Sequence, residues 1–380
     1  SPTELILGGP PDWPTGFPEG FQVILPRSPE FKGNVAEWEP STGKLVLDRS
    51  VPDGIDPTGS LELLSSEEAP VLGMHLILAR NGIEPGSVAC CMRLATTRCT
   101  NALLEHAGSP PVLFVTAGFP DLLEIGDQRR TGLFDLVPRK RASLEGLVVE
   151  VEERTDRDGE IICSPDHIAV LSAAKEALAN GHRSATVSFK NSSLNDSNEQ
   201  TVVSILQEAG FDFVVSSAST HPFPKWLPRC ESSVIESYLS PVLRQYLNSV
   251  GRGIGDGGEL LVMSSAGGLI DRGGYRAIDS LLSGPAGGVV GAGATARAAG
   301  IKEFINLDMG GTSSDVSRYS GSFAYQSPHQ VGDARISSTA LKIETVAAGG
   351  GSICRVEDRL LRVGPQSAGA HPGPACYGFG

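Results

Sequence analysis

Aromatic side chains are scarce in this sequence, 6% of 380 residues, and charged residues make up only 20%. Hydrophobic residues reach 40%, an ordinary globular share, so disorder is excluded and large side chains are few. Long apolar runs are missing. Nowhere do about 18 stand together, the length a membrane helix needs. The start, SPTELILGGPPDWPTG, lacks the basic segment followed by an apolar one that marks an export signal. These absences predict a soluble chain that remains in the cytoplasm and makes no membrane contact. Positive charge is short as well: Lys and Arg number 31 against 44 Asp and Glu, for a net charge of −13. The longest basic cluster, Arg139-Lys140-Arg141, reads as a solvated loop, which argues against nucleic acid as a partner.

Other absences concern chemistry. The seven cysteines are odd in number, include the adjacent pair Cys90-Cys91, and show no C-x-x-C spacing, so free thiols in a reducing compartment are expected and a zinc site is not. His75, His106, His167, His182 and His221 have no metal-ligand spacing, and no G-x-S-x-G supports a serine hydrolase. The Lys-bearing phosphate loop of the commonest NTPases is missing. A formal G-x-G-x-x-G at Gly253–Gly258 follows a helix and precedes a strand, the reverse of the dinucleotide context, and reads as a linker.

What the chain has is length and glycine. At 380 residues two domains are the default. Of 46 glycines, 27 fall in residues 251–380. Short alternating stretches at Phe21–Leu25 and Lys44–Asp48, set among Pro, Gly and Asp, predict a small β module over 1–65. A helix is expected over Ala69–Asn81 and a strand over Val112–Thr116. Then Asp166 caps a helix with Ile168, Leu171 and Leu178 on its apolar face, Ala185–Phe189 is a strand, and Glu199–Ala209 with Phe211–Val215 repeats the unit. Strands alternating with helices predict an α/β sheet. A long helix near 231–250 follows, kinked or broken at Pro241.

The later glycines come in doublets at junctions. Phe304–Ser317 runs from an apolar strand through Asp308-Met309-Gly310-Gly311-Thr312-Ser313-Ser314-Asp315 into a return strand. Glycines let backbone N–H groups approach an anion, and Thr312, Ser313 and Ser314 add hydroxyl donors. Asp308 can hold a hydrated Mg²⁺ and Asp315 can orient a water. A tight hairpin capped by Asp and Ser explains the same residues. Ser283-Gly284-Pro285-Ala286-Gly287-Gly288 stands before a small-residue helix, Val289–Ala299, either as an anion site or for close helix packing. Gly349-Gly350-Gly351-Ser352 follows a strand-like run, Leu341–Val346, and suits approach to a flat ligand.

Together these segments resemble the A subunit of the hydantoinase/5-oxoprolinase family. The resemblance rests on Asp308–Val316, Ser283–Gly291, Val346–Ser352, the run Arg362–Gly378, and upstream Ala95-Thr96-Thr97-Arg98-Cys99-Thr100-Asn101-Ala102-Leu103-Leu104-Glu105 and Thr116–Gly126, in the family's order over roughly residues 69–380. It implies an α/β fold of the actin/hexokinase/Hsp70-like two-domain ATPase type, with a small N-terminal β module. The implied division is a β-rich insertion at 1–65, an N-terminal-like α/β domain at 66–230, and a nucleotide-binding α/β domain at 231–380, incomplete at its C-terminus. It further implies ATP and Mg²⁺, a small cyclic amide substrate, and a B-type subunit or fused region in an oligomer. The implied reaction is ATP-dependent hydrolysis of a 5-oxoproline- or hydantoin-type ring. An ATP-dependent ketone carboxylase subunit and a non-catalytic scaffold are the alternatives.

On this resemblance Asp308 takes Mg²⁺, and Gly310, Gly311, Thr312 and Ser313 take phosphate oxygens. Asp315 orients a nucleophile or metal-bound water, Gly349, Gly350, Gly351 and Ser352 meet the nucleoside, and Ser283, Gly284, Gly287 and Gly288 support the cleft. Thr96, Thr97 and Asn101 are candidates for a substrate carbonyl, or else for helix capping. Cys99 reads as a nucleophile or as small apolar filler, and Asp127 with Arg129-Arg130 as a carboxylate site or an exposed loop. Three departures from the family pattern stand out. An earlier D-x-G-G-T-F-T-D loop is missing, so the chain is expected to be part of a longer enzyme. His371 replaces a frequent Asp, and Arg98-Cys99 vary the usual T-T-V-A-T-N-A.

Overall fold

Alternating apolar residues place Val23 and Leu25, and Leu45 and Leu47, on one face of two short strands, and both pairs are buried. The computed structural model describes residues 3–8, 11–25, 28–52, 61–128, 134, 143–357, 359–369 and 373–378. Arg129-Arg130, the Arg139–Arg141 cluster and His371 lie outside the described residues. Two compact units divide the chain, one of residues 1–94 with 245–261 and one of 95–244 with 262–380.

The first unit holds a five-stranded sheet in the order β1-β4-β3-β2-β5, from Glu4–Ile6 (β1), Gln22–Leu25 (β2), Ser28–Glu39 (β3), Lys44–Leu47 (β4) and Glu62–Leu64 (β5). Trp38 anchors its core, fully buried among Val23, Val35, Leu45 and Val51, with its indole N–H donating to the Trp13 carbonyl at 3.2 Å. Helix α1 follows at Ala69–Arg80. Gly253, the first glycine of the formal G-x-G-x-x-G, lies in the last turn of a long helix. A Cβ there would sit 2.5 Å from Val71, so close packing explains it where a linker was expected.

In the second unit come α2 (Arg98–Leu104), β6 (Val112–Thr116), β7 (Leu147–Val151), α3 (His167–Ala179), β8 (Ser184–Ser188), α4 (Ser197–Ala209) and β9 (Phe213–Ser216). The strands form a parallel sheet in the order β9-β8-β6-β7. Every residue of β6 and β8 is buried, as strands covered on both faces require. The Asp166 carboxylate caps α3, accepting from the Ala169 N–H at 2.9 Å. Of the expected face of α3, Leu171 and Leu178 pack against the sheet's core beside Val170, Ala174 and Ala177, whereas Ile168 is 79% exposed. Gly210, at φ +105°, ends α4 in the left-handed conformation.

The opposite face is covered by α5 (Trp226–Ile254), whose residues up to Arg244 belong to this unit. Pro241 does not break it. A proline removes the N–H that would bond the carbonyl four residues back and crowds that turn. Here the Ser184 hydroxyl donates to the Ser237 carbonyl at 2.7 Å, so the freed acceptor is satisfied by a neighbouring strand.

The chain continues through β10 (Glu259–Met263), α6 (Ser283–Ala298), β11 (Glu303–Met309), β12 (Ser314–Ser320) and β13 (Glu344–Val346). The last three make an antiparallel sheet in the order β11-β12-β13. The strand-like run 341–346 is divided: the Leu341 N–H donates to Ser265 and the Lys342 N–H to Ala324, so only Glu344–Val346 joins the sheet. Helix α6 begins at Ser283, a turn and a half earlier than expected, because the Ser265 hydroxyl accepts from the Leu282 N–H and supports its start.

Candidate functional site

Strands β11 and β12 turn back on each other in register, with Asp308 opposite Asp315 and Met309 opposite Ser314. Directly opposed residues share a face, so two carboxylates stand side by side at the end of the hairpin, an arrangement that is unfavourable without a cation or donors nearby. Asp315 is partly relieved by Thr345, whose hydroxyl donates to Oδ1 at 2.6 Å across the β12–β13 pairing. Beyond Asp308 the turn is closed by the Gly310 N–H, which donates to the Ser313 carbonyl at 2.9 Å. Among the described residues no hydrogen bond engages the N–H groups of Gly311, Thr312 and Ser313. Gly311 and Thr312 are exposed.

The second glycine run lies on this turn. The Gly350 N–H donates to Gly310 at 2.9 Å, the Gly351 N–H to Gly311 at 2.7 Å, and the Gly349 N–H to the Ser352 hydroxyl at 2.8 Å. A Cβ on Gly349 would stand 2.6 Å from the Gly310 carbonyl oxygen and 2.8 Å from the Thr312 nitrogen. The N–H groups of Gly350 and Gly351 are therefore spent on the turn, and that of Gly349 on Ser352. The Ser314 hydroxyl adds a bond to the Ala348 carbonyl at 2.6 Å. The two runs form one backbone-on-backbone block that holds the turn's own N–H groups outward.

Helix α6 reaches the same place. A Cβ on Gly288 would lie 3.2 Å from Asp308 Oδ2, so the helix passes beside the carboxylate. On the same helix Gly284 and Gly287 face the loop before α2: added Cβ atoms would meet the Thr97 methyl at 2.7 Å and the Ala95 methyl at 2.9 Å. The buried Ser283 hydroxyl accepts from the Thr96 N–H at 3.2 Å, and Thr100 donates to the Leu281 carbonyl at 2.6 Å. Thr96 is buried, its hydroxyl accepting from the Arg98 N–H at 3.1 Å in a local turn. Thr97, just before α2, and Asn101, one turn further on, are exposed. Residues from Thr96 to Ser352 thus form one continuous chain of contacts within the second unit.

Several polar groups escaped the sequence reading. Glu199 is fully buried and accepts from the Phe189 and Ala218 N–H groups and the Ser216 and Ser217 hydroxyls, while Arg229 donates to that same Ser217 hydroxyl at 3.0 Å. Burial lowers the Arg229 pKa, and the Glu199 charge partly restores it. Glu236 holds the turn before α6 through the Ala277 and Ile278 N–H groups at 3.1 and 2.7 Å; burial pushes its carboxyl up. Only their spacing to serines hinted at such roles, and that signal is too common to read. Cys99 is buried, and desolvation pushes its thiol up to about 12, which fits the filler role. Asp127 lies 3.6 Å from Arg335.

Two family models match, Hydantoinase/oxoprolinase N-terminal region over residues 51–210 and Hydantoinase/oxoprolinase over residues 229–380. The chain belongs to the hydantoinase/oxoprolinase family. The 5-oxoprolinase PfmaA of Pestalotiopsis fici is 37% identical over 361 residues, covering 84% of this chain and 28% of that protein. The caprolactamase subunit alpha of Pseudomonas jessenii is 32% identical over 358 residues, 86% of this chain and 50% of that one. The crystal structure of ATP-dependent caprolactamase from that organism superposes with a TM-score of 0.68 at 28% identity, over 86% of this chain and 50% of that chain. A nucleotide-free acetone carboxylase structure gives 0.66 at 24% identity, over 82% and 48%. The chain therefore spans between a quarter and a half of these relatives. Its α/β, ATPase-like fold is the one the motifs imply. Among the described residues no helix is long and apolar enough to cross a membrane.

Proposed function

We propose that this chain is the nucleotide-binding portion of an ATP-dependent cyclic amidase of the 5-oxoprolinase or hydantoinase type. The observation that carries this reading is the hairpin end, where paired carboxylates adjoin a turn whose N–H groups are free to donate. Phosphate oxygens suit those donors, with the Thr312 and Ser313 hydroxyls beside them. Among the described residues no group of three or more His, Cys, Asp or Glu could hold a metal ion. One or two carboxylates with phosphates and water are the habitual surroundings of Mg²⁺, and Asp308 with Asp315 fit that description. When bound, the ion would neutralise phosphate charge.

Ring amides are stabilised by resonance, so coupling to ATP makes the amide carbon electrophilic enough for water to attack. Asp308 would hold the metal ion, and Asp315, oriented by Thr345, would position a water or a ligand of the metal through its second oxygen. Thr97 and Asn101 offer groups to a ring carbonyl. Relatives named 5-oxoprolinase and caprolactamase subunit alpha support the ring class and a partner subunit of B type. Residues 66–230 and 231–380 as two functional domains, assembly into an oligomer and a cytoplasmic location belong to the same reading. A ketone carboxylase subunit remains the second reading, supported by likeness of fold to acetone carboxylase.

The full-length protein with its partner should release phosphate from Mg-ATP only when a lactam or hydantoin is added. Asp308→Ala should remove that release. No stimulation by 5-oxoproline or any substituted hydantoin would sink the proposal, and turnover requiring bicarbonate and a ketone would favour the carboxylase.

A further inference from the structure

Thr97 is held by its methyl group, and its hydroxyl bonds to nothing. The residue stands just before α2 at φ −103° and ψ 12°, outside the extended conformation of a capping residue, and its side chain makes no capping bond. Thr96 supplies the local turn instead, accepting from the Arg98 N–H. The Asn101 N–H donates to the Thr97 carbonyl at 2.9 Å, so the side chains of 97 and 101 follow one another within a turn. Among the described residues no hydrogen bond engages the Thr97 hydroxyl or the Asn101 side-chain amide.

What holds Thr97 this way is α6. A Cβ on Gly284 would stand 2.7 Å from the Thr97 methyl, with the next neighbouring atom only at 3.9 Å. Bare helix is therefore the seat of that methyl. Methyl and hydroxyl share one carbon in threonine, so seating the first fixes the direction of the second. Anchors on both sides keep the seat in place: the Thr96 N–H donates to the Ser283 hydroxyl at 3.2 Å, and the Thr100 hydroxyl to the Leu281 carbonyl at 2.6 Å. One turn along the same helix, Gly288 admits Asp308, whose Oδ2 lies 3.2 Å from where a Cβ would be. Positions four apart share a helix face, so the Thr97 methyl and the Asp308 carboxylate lie within about 12 Å of each other along that face. A terminal phosphate at the hairpin and a ring carbonyl at Thr97 fit together within such a span.

We propose that α6 is the spacer that sets the ring-binding groups against the phosphate-binding hairpin, with Gly284 and Gly288 as its positioning residues. Gly284 acts through Thr97 and Gly288 through Asp308. The assignment rests on the cyclic-amidase reading, in which Thr97 and Asn101 receive the ring amide. Because helical backbone does not stretch, the two sites keep their separation whenever α6 is intact.

The test is steady-state phosphate release by the full-length protein with its partner, using 5-oxoproline or hydantoin as the ring. Thr97→Val keeps the seated methyl and removes the hydroxyl, so the KM of the ring should rise about tenfold, the value of one hydrogen bond, without a drop in unfolding temperature. Gly284→Ala should raise it as far, because the new methyl displaces that of Thr97. Thr97→Ser deletes the clashing methyl, so adding it to Gly284→Ala should bring the ring KM back toward wild type. Gly288→Ala should instead raise the KM of Mg-ATP severalfold. Gly291→Ala, on the same helix with open space around it, should change neither. Thr97→Val and the double variant decide the matter even where Gly284→Ala alone does not fold. An unchanged ring KM in Thr97→Val, or equal shifts of both KM values in the Gly284 and Gly288 variants, overturns the spacer, while ring-stimulated release by wild type leaves the amidase reading standing. Absence of that release in wild type defeats the amidase reading and the spacer with it.

Discussion

A methyl group at Gly349 would collide with backbone atoms of the facing turn, 2.6 Å from the nearest, and backbone cannot swing aside as a flexible side chain does. Gly349→Ala is expected to cost about 1–3 kcal/mol in urea unfolding and to abolish Mg-ATP binding by displacing the Gly311–Ser313 donors. Gly291 is the matched control. It sits in α6 with nothing within 4 Å of an added Cβ, so Gly291→Ala should stabilise by about 0.5–1 kcal/mol, the entropic benefit of removing a helical glycine. The same scale decides Cys99. Its thiol stays protonated in a buried site, whereas Cys91, Cys163, Cys354 and Cys376 are exposed. Iodoacetamide should alkylate those four in the folded protein and spare Cys99, as mass spectrometry of peptides would show; rapid labelling of Cys99 would restore the nucleophile reading.

Elements in the second unit are tied by buried polar groups more than a reading of apolar periodicity suggests. Strand β8 is clamped between α4, whose Glu199 accepts from the N–H just beyond the strand, and α5, whose Arg229 donates to the Phe189 carbonyl at 2.9 Å. Removing one charge leaves the other buried with its hydrogen bonds but without its countercharge. Arg229→Met should therefore cost about 3–5 kcal/mol by denaturant titration, and Glu199→Gln should also destabilise, with a smaller joint effect than the sum because the pair shares Ser217. Period and caps made α3, β6, β8 and α4 readable in advance, since 3.6- and 2-residue repeats are local properties. The Ser184 bond that satisfies the carbonyl behind Pro241 joins residues far apart in sequence, so continuation of α5 through the proline was not readable.

For the molecule as a whole, two buried imidazoles shape the response to acid. Burial is the main reason that His221 is lowered from 6.5 to about 4 and that His329 is also lowered. Between those values the unfolded chain takes up a proton at His221 that the native state refuses. Stability from this group is complete above 6.5 and is lost as pH falls toward 4. The unfolding temperature of wild type should drop across that interval, and His221→Gln should show a shallower drop; identical slopes would place the effect elsewhere.

Sequence by itself determined the family, the class of fold and the position of the glycine-bearing hairpin, because those reside in contiguous motifs whose glycines, hydroxyls and carboxylates are legible locally. Tertiary structure decided what each glycine does. Gly284, Gly287 and Gly349 admit neighbouring atoms at distances no Cβ permits, and the N–H groups of Gly350 and Gly351 are consumed in holding the turn. It also decided which polar residues are left without partners. Hydrogen-bond satisfaction depends on every segment that packs nearby, so no local pattern could single out His221 and Ser338 from the other histidines and serines of the chain.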